Sequence, residues 1–207
     1  MPNAPLVSPW ISIWTQPRAT IRSIVATGST RFFPILATIY GFPALIYLAQ
    51  VWALGDFYSP WAVLLVSMIL APFLGYINIW IWSKFLLWTG DWIQGAGDEK
   101  AIRSAVAWTV VPHIGNICVW FLLAALMWPL IFSMGAVARD IAIYAMVGMG
   151  LQLVFSVWSL VIFVAALAEV QKISVLRAVA NIVLAFMLLM GSLWVINVVA
   201  RWLIDNF

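Results

Sequence analysis

Five long apolar blocks, parted by short segments that hold most of the charge, dominate this chain. They run over roughly 33–54, 61–88, 105–132, 141–168 and 179–204. A helix needs about 20 apolar residues to cross a bilayer, and each block is long enough. Three exceed the minimum well, so those helices tilt or protrude into water. The fold class expected is therefore all-α: a polytopic integral membrane bundle of five transmembrane helices. Residues 1–31 form an arm ahead of a five-span domain over 32–207.

The arm reads differently from the blocks. Ser8-Pro9 and Gln16-Pro17 each look like a helix start, with proline at the first helical position. Arg18 and Arg22 share a face at i, i+4, beside a stripe of Ile21, Ile24 and Val25. Trp10 and Trp14 add amphipathic rings. That pattern suits a cytoplasmic helix lying at headgroup level. The plainer alternative is a lead-in to the first span. The N-terminus does not read as a secretory signal, because Pro2, Pro5 and Pro9 interrupt it and its first arginine is Arg18.

Composition closes off other classes. Apolar residues make up 66% of the 207 positions and charged residues 8%, with a mean hydropathy of +1.08. Soluble domains average about 45–50% apolar and about 25% charged. A soluble enzyme, a disordered chain and a nucleic-acid-binding domain are excluded. The net charge of +3 reflects topology. Eight basic residues fall on one side of the five-span arrangement: Arg18, Arg22, Arg31, Lys84, Lys100, Arg103, Lys172 and Arg177. Two, Arg139 and Arg201, fall on the other. The positive-inside rule then puts the N-terminus in the cytoplasm and the C-terminus outside.

Little in the sequence can do covalent chemistry. There is one histidine, His113, and one cysteine, Cys118, which sits inside an apolar run and reads as a small buried side chain. No phosphate-cradle, nucleophile-elbow or metal-ligand spacing occurs. No catalytic residue, metal or cofactor is expected, and the chain does not read as an enzyme. The glycines Gly90, Gly95 and Gly97 read as a flexible turn. Seven of the 14 tryptophans, Trp108 among them, fall near block ends and read as interface anchors.

Polar residues inside the blocks are more informative, since each must find a partner away from lipid. Asn78, His113, Asn116, Glu169 and Asn181 all fall in the cytoplasmic half and form a candidate polar layer. Gln152 and Asn197 should also face other helices. Pro112 is a candidate kink. The functional reading is a cytoplasm-facing pocket or a His113–Glu169 contact, and the structural one is interhelical hydrogen bonding. Gly75, Gly148 and Gly150 suggest close helix approach, and the short fourth loop suggests tight packing of the last two spans. Arg18, Arg22, Lys100, Arg103, Lys172 and Arg177 are candidate anchors for headgroups or protein partners.

Several segments together resemble the Yip family of five-span membrane proteins, of the Yip-one (Ypt/Rab-interacting) type, and its prokaryotic branch in particular. They are Ser8-Pro9-Trp10 with Pro17-Arg18 and Ile21-Arg22, and Gly90 to Gly97 with Ala105 to Trp108 and Val111-Pro112. Val157 to Leu160, Ala168 to Val170 and Ala178 to Asn181 complete the set. The resemblance implies a five-span bundle with a cytoplasmic N-terminus, and a bacterial cytoplasmic membrane. Eukaryotic relatives are associated with Rab-type GTPases and vesicle traffic and carry an Asp-Leu-Tyr-Gly-Pro motif before the first span. Asp56-Phe57-Tyr58-Ser59-Pro60 differs from it at two positions and is placed outside, so that role is not transferred. The expected function is a non-enzymatic membrane protein that organises membrane or recruits protein partners at its cytoplasmic face. A small-solute or ion transporter using the polar layer is the alternative. The expected partners are the lipid bilayer and other proteins, with no nucleic acid. The sequence leaves homo-oligomerisation open.

Overall fold

The computed structural model describes residues 8–28, 30–127 and 139–206. Its elements are α1 (Pro9–Ser12), α2 (Pro17–Thr27), α3 (Phe33–Val51), α4 (Pro60–Trp92), α5 (Glu99–Trp108), α6 (His113–Met127), α7 (Arg139–Gln171) and α8 (Val175–Asn206), with a 3-10 turn at Leu54–Asp56. No strand occurs among the described residues. Five segments are long and apolar enough to cross a membrane: Phe33–Val51, Pro60–Trp92, Glu99–Leu126, Met146–Gln171 and Val175–Asn206. The third comprises α5 and α6 together. The end of the third apolar block, the following loop and Trp128 lie outside the described residues.

Local chemistry sets the helix starts. Ser59 accepts a hydrogen bond from the Ala62 amide, with Pro60 at the first helical position of α4. Asp98 caps α5 by accepting from the Ala101 amide at 2.8 Å. α5 therefore starts ahead of the apolar block, on a polar turn. Gly28 ends α2 in the left-handed conformation.

The helices meet unequally. α3 and α4 make the most extensive contact, and α4 also touches α5 and α8. α7 packs against α2, α5, α6 and α8. Two buried clusters follow the bundle axis. One joins Ile13, Ile21 and Ile24 of the arm to Leu36, Leu86, Ile102, Ile162 and Leu167. The other gathers Phe42, Ile46, Val119, Trp120 and Leu123 nearer the opposite end. We call these the arm end and the far end.

The arm is docked on the bundle. Ile13 and Ile21 are fully buried, and Thr20 Oγ1 donates to Ser12 Oγ at 2.9 Å between α1 and α2. Trp10, Phe32 and Trp108 form a ring cluster with centroids 5.1–5.9 Å apart. Trp108 is thus 4% exposed rather than an interface anchor, because the arm folds back over it. Trp52, Trp61, Trp88, Trp92 and Trp202 are exposed near helix ends.

α3 and α4 touch backbone to backbone. A Cβ built on Gly41 would run into the Ala71 carbonyl, and one on Gly75 into the Ala37 carbonyl. Ala37 and Gly41 are four apart, as are Ala71 and Gly75, so each helix offers a small-residue ridge to the other. Gly148 packs under Leu123, whereas among the described residues nothing lies within 4 Å of a Cβ on Gly150. The close approach expected at Gly150 is therefore absent. The last two spans are not tightly packed along their length either. Buried residues on α8 stop at Ala185, and beyond it the helix presents apolar side chains outward. Asn197 lies on that exposed stretch instead of facing another helix. Cys118 is likewise exposed, because it points away from the side of α6 that holds Val119 and Trp120.

Candidate functional site

The third span is broken where Pro112 enters it. Proline brings no amide hydrogen, and its ring would clash with the carbonyl four residues back. The chain tightens into a three-residue hydrogen-bond pattern: Val111 to Trp108, His113 to Val110 and Ile114 to Val111. The His113 amide has left the Thr109 carbonyl, which accepts instead from Ser159 Oγ of α7 at 2.6 Å. Freed backbone groups at membrane depth need such donors. Ser159→Ala is expected to cost about 1–2 kcal/mol by orphaning that carbonyl. Ser192→Ala, which removes only a bond to its own helix at Leu188, serves as the control, compared by unfolding midpoints in micelles.

His113 lies directly below the break. Asn116 Nδ2 reaches His113 Nδ1 at 2.9 Å and Ser156 Oγ at 3.4 Å. His113 Nε2 is 3.5 Å from Ser159 Oγ, and the Tyr40 ring stands edge-on to the imidazole. A cavity of about 200 Å³ opens here, walled by α3, α4, the break and α7.

A second polar group sits at the arm end and was only partly foreseen. Asn181 and Gln171 are essentially fully buried. Asn181 Nδ2 donates to Gln171 Oε1 at 2.7 Å and to the Leu86 carbonyl at 3.2 Å. Gln171 Nε2 donates to the same carbonyl at 3.1 Å, and Thr89 Oγ1 donates to Asn181 Oδ1. The glycine-rich turn wraps around this group. Cβ atoms on Gly90, Gly95 and Gly97 would all meet Gln171, and the Ala96 amide donates to the Gln171 carbonyl at 3.0 Å. The turn expected to be flexible is a fitted cover, closest to Gln171 at Gly90 and tight against it at Gly97 and Gly95. Gln171 carries no sequence signal, because glutamine at a helix end is ordinarily solvated.

Charged groups make up the third set. Glu169 pairs with Arg22 Nε at 2.7 Å, tying α7 to α2. This hydrogen bond, and then the carboxylate charge, raise the Arg22 pKa further above its ordinary value. Glu99 bridges Lys84 at 2.6 Å and Arg103 one turn along α5. Arg18, Lys100, Lys172 and Arg177 are exposed, and none is in an ion pair among the described residues. The Arg22 side chain is 71% exposed, so Glu169→Gln is expected to leave the unfolding midpoint nearly unchanged. It should instead raise the rate at which protease cuts between α1 and α2, read by a digestion time course.

The residues proposed as one polar layer are therefore distributed. Asn116 and His113 share the break, Asn181 belongs to the Gln171 group, and Glu169 belongs to the ion pair with Arg22. Asn78 donates to the Leu74 carbonyl of its own helix at 3.1 Å. No group of three or more His, Cys, Asp or Glu positioned to hold a metal occurs among the described residues.

A five-span helical chain with an amphipathic arm is thus on hand, and its sequence matches the family model described as the Yip1 domain over residues 11–196. The chain belongs to the Yip1 domain family. Comparisons with curated proteins and with solved structures give no match. As a Yip1 domain protein with five apolar spans, it lives in a lipid bilayer. The match takes in α2 of the docked arm, the covered turn and the broken third span alike.

Proposed function

We propose that this Yip1 domain protein is a non-enzymatic organiser of the bacterial cytoplasmic membrane that recruits a protein partner at its arm-end face. The observation that carries this reading is the charge left over there. Glu99 and Glu169 are taken up by Lys84, Arg103 and Arg22, and the outward-facing Arg18, Lys100, Lys172 and Arg177 outnumber the exposed Asp91 and Asp98 of the same face. Such a surface lies in the cytoplasm by the positive-inside rule. It attracts acidic protein segments and anionic headgroups alike. Transport has less support, since the polar residues within the spans pair in separate groups.

The test is in-membrane photocrosslinking from a photoreactive residue at Gln94, exposed on the turn that leads into α5 and Lys100. Capture of one specific protein, lost when Lys100, Lys172 and Arg177 are all changed to Ala, is the expected result. Capture of lipid alone overturns recruitment. A Lys100→Cys variant labelled by an impermeant maleimide only after the membrane is opened fixes the orientation; labelling of intact cells overturns it.

A further inference from the structure

We propose that the cavity at the break of the third span binds a neutral, lipid-soluble molecule bearing a carbonyl oxygen, with His113 Nε2 as the hydrogen-bond donor. The argument begins with proton bookkeeping. In the orientation the structure gives Asn116, its amide nitrogen faces His113 Nδ1, which then accepts, and its Oδ1 is buried with no partner among the described residues. The ring proton of the neutral imidazole then sits on Nε2. Ser159 Oγ, whose own hydrogen goes to the Thr109 carbonyl, accepts from Nε2 only at a long 3.5 Å. Nε2–H is therefore a weakly used donor at the wall of an open cavity. A buried donor with a poor partner gains from a better acceptor.

The remaining walls define the body of the ligand. Tyr40, Trp82 and Phe163 supply aromatic surface, and Ser156 and Ser159 supply the polar margin. No charged side chain lines the space, so an ionised ligand would be left uncompensated. The volume of about 200 Å³ exceeds the roughly 150 Å³ that suffices for benzene. A substituted aromatic ring fits. Ser156 and Leu160 line the cavity and are both exposed on α7, so the mouth opens sideways toward lipid. A molecule dissolved in the bilayer can enter without crossing the arm-end surface. This site is independent of the partner-binding face proposed above.

Benzophenone serves as the probe, being an uncharged aryl ketone that also photolabels its surroundings. The full chain in phosphatidylcholine nanodiscs is irradiated over a range of probe concentrations, and the labelled residues are mapped by mass spectrometry. Saturable labelling at Tyr40, Trp82 or Phe163, displaced by unlabelled acetophenone, is expected. His113→Phe keeps the ring but removes the donor, and should weaken apparent binding about tenfold. Ser156→Phe fills the mouth from an exposed position and should abolish saturable labelling. Should His113→Phe fail to fold, Ser156→Phe decides alone. Labelling that never saturates, or that Ser156→Phe leaves unchanged, overturns the site. Labelling that a folded His113→Phe retains in full overturns the carbonyl assignment.

Discussion

Gly75→Ala is expected to destabilise the bundle by about 3 kcal/mol. The reason lies in how membrane helices associate. Lipid tails are as apolar as leucine, so burying more hydrocarbon gives α3 no reason to leave lipid for α4. What holds them is close van der Waals contact, and that contact is nearest at the Ala37–Gly41 and Ala71–Gly75 ridges. A methyl on Gly75 meets the Ala37 carbonyl, which is backbone and has no rotamer to change. The helices must separate, and every contact along their shared length weakens together. Gly41→Ala should behave alike against Ala71. Gly150→Ala, where the space is open, should fall within about 0.5 kcal/mol of the parent. Unfolding in mixed micelles checks the series. Equal stabilities for Gly75→Ala and Gly150→Ala would refute the ridge contact.

Removing the Gln171 side chain is the second large effect. Gln171→Ala is expected to cost about 3 kcal/mol, because three losses fall together. The Leu86 carbonyl loses a donor, Asn181 Nδ2 loses the acceptor at 2.7 Å, and the glycine turn loses the side chain it encloses. Asn181→Ala should cost a similar amount by releasing Thr89 and Gln171. The double variant should cost clearly less than the sum, since both singles break the same bond. Digestion should also expose the 90–97 turn in Gln171→Ala. Additive costs with an uncut turn would show that the group does not act as a unit.

Particular residues show where sequence reasoning reached and where it stopped. Pro112 was legible as a defect because proline removes an amide wherever it stands. The donor that repairs the defect, Ser159, lies 50 residues from the Thr109 carbonyl it serves, and nothing local marks it. Asp98 is a recognisable cap and could have moved the start of the third helix to Glu99. Gly75 was singled out in the sequence, but its partner ridge was not, because helix pairing depends on rotation about each axis. Asn181 was expected to need a partner, and it has one. That the partner is Gln171, under a cover of glycines, follows only once the ends of α4, α7 and α8 are brought together.

The sequence by itself determined the solvent, the number of spans and the distribution of charge. Those are one-dimensional quantities: apolar length against bilayer thickness, and basic residues counted between blocks. It also pointed to partners for the polar groups within the spans, since hydrocarbon offers them nothing, an expectation that Asn197 on outward-facing α8 departs from. Tertiary structure alone decided the pairing. It divided Asn181, Asn116 with His113, and Glu169 among three sites, folded the arm over Trp108 and left most of α8 facing outward. The physical reason is that contact between helices is set by their relative rotation and offset. Those depend on side chains far apart in the chain, and no local pattern encodes them.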